Sequence, residues 1–314
     1  MQTRSSWEHE EGEDGHGWDH AGWSYDGPTG PQYWGTLTPD YAQCSSGGRQ
    51  SPIDIIEFRT SRRFLGDLKF TYPTNASGTL WNNGHTIEFH SETNLWSHIS
   101  GGPLYEDQYH IVSMHLHAPS EHQLNGKYYP LELHIVHQAR GTMDLVVVAV
   151  FFEEGPYSEF LAEYEYPIHD IETPDAHSPV GGIDVMSVIP RNASYYYYRG
   201  SLTIPDCDER VTWLVLSHTM TALPEQIQEF TKIYPHINRP VQPLNSRVVY
   251  FHAEGDPSLL PPNFHIPAPV ECPPNVTITV PERDDPPEHH VLGISLVFFC
   301  LIALMVSLRA VRPK

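Results

Sequence analysis

Short runs of apolar residues, separated by glycine, proline and asparagine turns, occupy the middle of the chain from residue 23 to residue 252. β-branched and aromatic residues are frequent in these runs, as they are in strands. The clearest runs are Ile111–Leu116, Leu131–His137 and Leu145–Phe152. Amphipathic helices are few, and the best candidate is Leu223–Ile233, with Pro224 near its first turn. The pattern predicts one large, mainly β domain with a few short helices.

The two ends of the chain have a different pattern. Residues 1–22 are acidic and predict a disordered arm, whereas residues 253–290 hold ten prolines and predict an extended stalk. Residues 291–308 are uncharged, and a helix of these 18 residues rises about 27 Å, close to the thickness of a bilayer core. Basic residues follow in 309–314, which favours a C-terminal transmembrane helix with a cytoplasmic tail over a removed lipid-anchor signal.

Acidic residues outnumber basic ones, with 39 Asp and Glu against 18 Lys and Arg and a net charge of −21. Such a chain repels phosphates, so we expect no nucleic acid partner. The four cysteines form no C-x-x-C pair, which argues against a cysteine-based zinc site. Three sequons, at Asn75, Asn192 and Asn275, predict glycosylation. With the membrane helix, they predict a single-pass protein whose domain lies outside the plasma membrane or in the lumen of another secretory-pathway membrane.

Histidines cluster on two of the predicted strands. His115 and His117 are two residues apart and therefore share one face of a strand. A second strand follows after a turn, and if the two strands pair, His134 completes a set of three. Glu132 shares the face of His134 and is placed to accept its second imidazole proton. Three neutral imidazoles leave the fourth tetrahedral position open, as a catalytic zinc site needs.

Other interpretations of these histidines are open on spacing alone. Ordinary surface or core histidines are as good an explanation of the spacing as a metal site. A cupin metal site is a further alternative, because the spacing of His115, His117 and Glu121 resembles its first motif, although its second motif is missing before His134. A thermolysin-like protease is disfavoured, since no H-E-x-x-H occurs.

The histidine segments from His115 to His122 and from Leu131 to His137 resemble the core signature of the alpha-class carbonic anhydrase family. Six further motifs resemble the same family in the same order along the chain. They are Trp23-Ser24-Tyr25-Asp26-Gly27, Arg49-Gln50-Ser51-Pro52-Ile53-Asp54, Asn82-Asn83-Gly84-His85, Gly101-Gly102-Pro103-Leu104, Gly200-Ser201-Leu202-Thr203 and Asn238-Arg239-Pro240-Val241-Gln242-Pro243-Leu244. The resemblance covers about residues 23–252.

This resemblance implies a fold and a reaction. The expected fold is a large twisted, mostly antiparallel sheet, with Zn²⁺ held by His115, His117 and His134 in a conical cleft. The expected reaction is the reversible hydration of carbon dioxide to bicarbonate and a proton by zinc-bound hydroxide, chemistry for which carbonic anhydrase is itself the reference case. Sulfonamides and anions are the inhibitors that the resemblance implies.

The resemblance also implies roles for single residues. Thr203 would accept a hydrogen bond from the attacking hydroxide and donate its own to Glu121. His85 matches the proton shuttle, a role that suits imidazole because its pKa lies near the working pH. Tyr25 and Asn83 match residues that order the intervening water. The residues that match the apolar wall for carbon dioxide are Val136, Val147, Leu202 and Trp213.

Secreted members of the family form a disulfide between the places held here by Cys44 and Cys207, so the resemblance implies that bond. Cys272, in the predicted stalk, would be left over to pair between chains. A homodimer or a transporter is a possible partner of the tethered domain. The rival function is a cell-surface binding module with weak or no catalysis, since some family-like domains have lost zinc ligands.

Several residues depart from the pattern of many relatives: Glu88, Ser113, Ala118, Ile204 and Asp206. Ser113 stands where many relatives have a glutamine that bonds the first zinc histidine, so His115 must use water or another partner. Glu88 puts an acid near the cleft where relatives often carry an amide. We expect these changes to affect rate and inhibitor preference rather than reaction type.

Overall fold

The computed structural model describes residues 22–91, 97–104, 108–165 and 167–255. Within them the α-helices are short: α1 Trp34–Leu37, α2 Gln43–Ser46, α3 Glu159–Glu165 and α4 Pro224–Ile233. Single 3₁₀ turns span Gly27–Thr29, Pro39–Tyr41, Glu57–Arg59, Pro167–Ile171 and Val185–Val188. The helix predicted at Leu223–Ile233 is therefore confirmed as α4.

Strands supply most of the regular structure in the described residues. They are β1 Asp54–Ile55, β2 Ser61–Arg62, β3 Leu68–Thr71, β4 Ala76–Asn82, β5 Ile87–Ser91, β6 His98–Gly101, β7 Tyr109–His117, β8 Gln123–Leu124, β9 Leu131–Ala139, β10 Leu145–Glu154, β11 His177–Ile183, β12 Tyr195–Gly200, β13 Val211–Leu216, β14 Met220–Ala222 and β15 Tyr250–His252. The three apolar runs that the sequence singled out are confirmed as β7, β9 and β10.

One mixed sheet contains thirteen of these strands, in the order β11-β4-β5-β7-β9-β10-β13-β12-β15-β2, with β3, β6 and β14 off this path. Its pairs are antiparallel except for β10 with β13, β10 with β14 and β15 with β2, which are parallel. The remaining strands, β1 and β8, pair with each other. The fold is thus mainly β, as predicted, and β7, β9 and β10 lie in the middle of the sheet.

Alternation of side chains along β7 and β9 separates two environments. Leu116, Leu133 and Ile135 point into the large apolar cluster on one side of the sheet. Their neighbours His117 and His134 point to the opposite side and are also buried. Because side chains alternate along a strand, burying the apolar residues fixes where the histidines project.

Several sequence predictions lie outside the described residues. They are nearly the whole arm of residues 1–22, the stalk from residue 256 onwards, the membrane segment 291–308, the tail 309–314, the sequon at Asn275 and Cys272. None of the helices within the described residues has the length and apolar character needed to cross a membrane.

Candidate active site

Two neighbouring strands bring the three predicted metal ligands together. β7 and β9 pair antiparallel, and His115 lies directly opposite His134 in their register. His117 follows two residues later on the same face of β7. One nitrogen of each imidazole lies within 4.8 Å of those of the other two. The chain therefore assembles a set of three histidines in the middle of the sheet.

Hydrogen bonds decide which ring nitrogens these histidines offer. Nδ1 of His117 lies 2.6 Å from the carbonyl oxygen of Ile237, and because a carbonyl only accepts, Nδ1 carries the proton. Nε2 of His134 lies 2.8 Å from the carboxylate of Glu132 and donates to it in the same way. Nε2 of His117 and Nδ1 of His134 are thereby left with lone pairs, the condition for binding a metal ion.

Burial keeps the three imidazoles neutral. It lowers the pKa of His117 to about 4 and the pKa of His115 well below 6.5. Burial also lowers the pKa of His134, although the carboxylate of Glu132 acts in the opposite direction. A neutral imidazole needs no deprotonation before it binds a metal ion, so the set is ready for one.

A buried atom without a partner tests whether a metal ion fits. Nε2 of His117 is buried and has no hydrogen-bond partner among the described residues. Oε2 of Glu121 lies 3.4 Å from this nitrogen and is likewise buried without a hydrogen-bond partner among the described residues. An unpaired buried polar atom costs about 1–3 kcal/mol, and a zinc ion on the three nitrogens would remove that cost at His117. Three neutral nitrogens with an open fourth position suit catalytic zinc.

A second group of potential ligands, His122 with Glu132 and His134, behaves differently. Oε1 of Glu132 lies 2.7 Å from Nδ1 of His122 and 2.8 Å from Nε2 of His134. Its Oε2 accepts the backbone N–H groups of Glu121 and His122, each at 2.8 Å. These polar atoms already satisfy one another, so this group needs no metal ion and holds the ring of His134 in place.

Glu121 and Thr203 lie beside the histidines. Oε1 of Glu121 accepts a 2.9 Å hydrogen bond from the backbone N–H of Arg239, and its Oε2 lies 4.0 Å from Nδ1 of His134. The hydroxyl of Thr203 lies close enough to lower the pKa of Glu121, and both residues are buried. Burial raises the pKa of Glu121 to about 7, although His134, Thr203 and Arg239 each lower it. The structure brings Thr203 and Glu121 close together, and the roles that the resemblance implied for them stay a prediction.

A cleft of about 300 Å³ is lined by His85, Trp23, Tyr25 and Ile237, whose carbonyl holds His117. The imidazole of His85 stacks on the indole of Trp23, with ring centres 3.7 Å apart and planes 8° apart. His85 therefore lies on the wall of the same cleft as Ile237, whose carbonyl binds Nδ1 of His117.

Asn83 shapes the turn that carries His85. Its Oδ1 accepts the backbone N–H groups of His85 at 3.0 Å and of Thr86 at 2.8 Å. Gly84 adopts a φ of 81°, a left-handed conformation that suits glycine. The turn is therefore held by its own residues, and Asn83 and Tyr25 lie on the same side of the domain as His85.

The four residues expected to form an apolar wall lie in one cluster. Val147 and Trp213 are core members of this cluster, and Val136 and Leu202 pack against it. The indole of Trp213 also contacts the imidazole of His134, with ring centres 4.9 Å apart. The cluster thus reaches the predicted metal ligand His134 through Trp213 of β13.

Cys44 and Cys207 form a disulfide, as the resemblance implied, between residues 163 positions apart. The guanidinium of Arg239 donates to the carbonyl of Cys44 at 2.8 Å and to the carbonyl of Ser51 at 2.7 Å. Since the backbone N–H of Arg239 also binds Glu121, this arginine connects the disulfide region to the site.

A buried polar chain behind His134 was missed by the sequence analysis. Nε2 of His122 lies 2.6 Å from the hydroxyl of Tyr198, 76 positions away. That hydroxyl lies 2.9 Å from Oγ of Ser51, which is 147 positions before Tyr198 in the chain. His122 and Ser51 stand inside recognised motifs, which was the available signal, whereas nothing in the sequence pointed to Tyr198.

The remaining residues of interest are two sequons and the departures from the family pattern. Asn75 and Asn192 are exposed, whereas Ser194 of the second sequon is buried. Among the departures from the family pattern, Ala118 is buried and Ile204 is 37% exposed. The carbonyl of Ala118 accepts a hydrogen bond from the backbone N–H of Ile237. The backbone of Ala118, and not its side chain, therefore holds the residue whose carbonyl binds Nδ1 of His117.

The profile of eukaryotic-type carbonic anhydrases matches residues 29–253, which include every element of the site except Trp23 and Tyr25. The chain belongs to this carbonic anhydrase family. A carbonic anhydrase of Pectobacterium atrosepticum is 36% identical over 237 residues, covering 74% of this chain and 91% of the relative. The site described above is therefore that of a carbonic anhydrase.

Solved carbonic anhydrases have the same fold. The alpha-carbonic anhydrase of Thermovibrio ammonificans, in complex with the inhibitor sulfanilamide, is 35% identical with a TM-score of 0.67, covering 73% of this chain and 98% of its own. A hyperthermostable carbonic anhydrase identified from an active hydrothermal vent chimney is 36% identical with a TM-score of 0.66. The match covers 74% of this chain and 100% of the chain of that relative. The chain is an enzyme of this family, whose reaction is the hydration of carbon dioxide.

Proposed function

We propose that this carbonic anhydrase uses zinc for the reversible hydration of carbon dioxide to bicarbonate and a proton. The observation that carries the proposal is the buried Nε2 of His117, which has no partner among the described residues and lies in a set of three imidazoles. His115, His117 and His134 would hold the ion. Zinc bound there supplies a Lewis acid that makes water a nucleophile near neutral pH, and carbonic anhydrase is itself the reference case for this chemistry.

Thr203 and Glu121 orient the nucleophile. In its ionised form Glu121 only accepts hydrogen bonds, so the hydroxyl of Thr203 donates a hydrogen bond to it. The oxygen of Thr203 is then restricted to accepting, and it accepts a hydrogen bond from the O–H group of the attacking oxygen. This directs a lone pair of that oxygen toward the apolar wall formed by Val136, Val147 and their neighbours, where carbon dioxide is bound.

His85 moves the product proton out of the cleft. Each hydration releases a proton, and a group with a pKa near neutrality is best suited to carry it to the buffer. Support comes from the position of His85 on the wall of the cleft, stacked on Trp23, on a turn held by Asn83. Water ordered by Tyr25 and Asn83 would bridge His85 and the reaction centre.

The proposal is tested by replacing one ligand and one orienting group. His134→Ala should abolish both zinc retention and carbon dioxide hydration in stopped-flow assays, because it removes one of the three nitrogens. Thr203→Ala should keep zinc and lose roughly 10²–10³ in kcat, the size of effect found when one oriented group is removed from an active site. The matched control is His177→Ala, since His177 is an exposed histidine on β11.

Equal activity of wild type and His134→Ala would contradict the proposed site. Stoichiometric zinc in an inactive wild type would instead favour the binding-module function, with Ser113, Ala118 or Ile204 as the residues to revert first.

Inhibitors and location extend the proposal. Sulfanilamide binds the relative from Thermovibrio ammonificans, and we propose that sulfonamides also inhibit this chain. We further propose that residues 291–308 tether the domain to a membrane of the secretory pathway with the domain outside, and that Asn75 and Asn192 carry glycans. A glycosidase-sensitive mass on the membrane-bound full chain supports this, and an unglycosylated chain in the soluble fraction contradicts it.

A further inference from the structure

Two further histidines, His98 and His110, form a pair of neighbouring imidazoles outside the three-histidine set. His98 lies on β6 and His110 on β7, directly opposite each other in the antiparallel pairing of these strands. Directly opposite side chains project to the same face of a sheet. The two ring centres are 5.9 Å apart, compared with 4.6–5.2 Å within the three-histidine set. The rings of the pair are therefore nearly as close as those of the predicted zinc ligands.

The pair lies on the same side of the sheet as the active site but at the other end of β7. Ile111 and Leu116 follow His110 and His115 in the chain, and both belong to the apolar cluster on the opposite side. Since side chains alternate along a strand, His110 and His115 project to one face. Five residues of strand span about 16 Å, so one metal ion cannot contact both histidines.

An unused ring nitrogen distinguishes His110 from an ordinary structural histidine. Its Nδ1 is buried and has no hydrogen-bond partner among the described residues, as is also true of Nε2 of the predicted ligand His117. The core histidine His137, by contrast, is bonded at both ring nitrogens. A buried nitrogen without a partner is unfavourable, and a bound metal ion removes that cost. His98 and His110 are only partly buried, so an ion can reach them.

The surroundings of the pair favour a transition metal ion over calcium or magnesium. Burial lowers the pKa of His110, and the charges of His98 and Arg140 lower it further, so its ring stays neutral and keeps a lone pair. Arg140 also repels cations, so the ion has to gain from nitrogen ligands and not from charge. Imidazole suits copper, nickel and zinc, and among first-row divalent ions copper(II) binds such ligands most tightly.

Oxygen atoms flank the two rings along the same row of the sheet. Thr71 lies opposite His98 in the pairing of β3 with β6, and Gln138 lies opposite His110 in the pairing of β7 with β9. The amide nitrogen of Gln138 is used by the carbonyl of Thr142 at 2.8 Å, which leaves its amide oxygen as an acceptor. Water held by these polar groups can complete the coordination of an ion on the two imidazoles.

We propose that His98 and His110 form a second metal site, which binds one copper(II) ion through one nitrogen of each imidazole. The site is separate from the zinc site proposed above and requires nothing from it. An ion bound there joins β6 to β7, because each strand supplies one of the two ligands.

Copper(II) alone, added to the zinc-loaded full chain in detergent, tests the site. The chain has 20 histidines, so the informative quantity is the difference in bound copper between variants. His98→Ala and His110→Ala should each bind one copper ion fewer per chain than wild type. The double variant should also lose one ion and no more, because the two rings share it. The electron paramagnetic resonance signal lost in each variant should show coupling to two imidazole nitrogens.

The matched control is His177→Ala, an exposed histidine of β11, which should bind as much copper as wild type. Zinc content and carbon dioxide hydration should be unchanged in all these variants, which shows that they are folded. Unchanged copper binding in both single variants would overturn the proposal, as would a loss of two ions in the double variant. The same differences should appear in a His134→Ala background, so failure of the zinc proposal is distinguished from failure of this one.

Hydrogen exchange tests the link between the strands. The backbone N–H of Ile111 on β7 donates to the carbonyl of Ser97, the residue before β6, at 3.0 Å. Copper should slow exchange of this N–H in wild type and leave it unchanged in His98→Ala. Unchanged exchange in wild type that has bound copper would show that the ion does not join the two strands.

Discussion

His117 and His137 are both buried, and hydrogen bonding at one ring nitrogen decides what each can do. His137 is satisfied on both sides, with Nδ1 3.1 Å from the carbonyl of Val146 and Nε2 2.7 Å from the hydroxyl of Tyr72. His117 is satisfied at Nδ1 alone. The first is a structural histidine of the core, and the second is available to a metal ion.

The buried His137 should make the fold sensitive to acid. Burial lowers its pKa to about 3, below the value of about 6.5 for an unfolded histidine. The unfolded state therefore binds one more proton between these values, and stability is lost as the pH falls through that window. The full loss amounts to about 5 kcal/mol at 1.36 kcal/mol per pKa unit.

Urea unfolding at successive pH values measures this effect. The free energy of unfolding of wild type should fall more steeply between pH 6 and pH 4 than that of His137→Gln, even if the variant is less stable throughout. Parallel pH dependence of the two proteins would show that His137 is not the group responsible. The exposed histidine variant His177→Ala serves as the control.

At the scale of elements, alternation within one strand was readable from the sequence and pairing between distant strands was not. The predicted run Leu131–His137 is observed as Leu131–Ala139, and Leu145–Phe152 is observed as Leu145–Glu154. A local side-chain pattern fixes which residues share a face. It does not fix the partner strand, so the position of Glu88 opposite His115 could not be derived.

Contacts between distant segments explain the remaining gap. The chain from His122 through Tyr198 to Ser51 joins three segments, and Arg239 joins Cys44 to Glu121. Such contacts depend on the assembled sheet, in which β12 lies beside β13. The set of three histidines could be predicted because its pattern is local to β7 and β9, and the family motifs supplied the rest.

The disulfide should contribute strongly to the stability of the loop region after β12. Cys44 and Cys207 close a loop of 163 positions. A chain-entropy model gives about 5 kcal/mol for a loop of that size. Cys44→Ser combined with Cys207→Ser should lower the free energy of unfolding by about 4–5 kcal/mol relative to the oxidised protein.

Urea unfolding of the double variant and of wild type, each with and without reductant, checks this prediction. Reductant should destabilise the wild type and leave the double variant unchanged. Equal stability of the two oxidised proteins would contradict a structural role for the bond.

At the scale of the whole molecule, part of the chain matches a solved enzyme of this family over its full length. A solved relative is covered over 100% of its own length by 74% of this chain. The described residues end at 255, and the apolar run at 291–308 lies beyond them. The proposed reaction therefore depends on the domain, whereas the membrane tether proposed for residues 291–308 would decide only where it takes place.

Removal and return of zinc is the measurement that tests the central claim most directly. Metal-free protein should show no carbon dioxide hydration above the uncatalysed rate in a stopped-flow assay. Added zinc should bind in an amount equal to the chain and restore the activity, and it should do neither in His134→Ala. Activity that persists without metal, or stoichiometric zinc that restores none, would contradict the account.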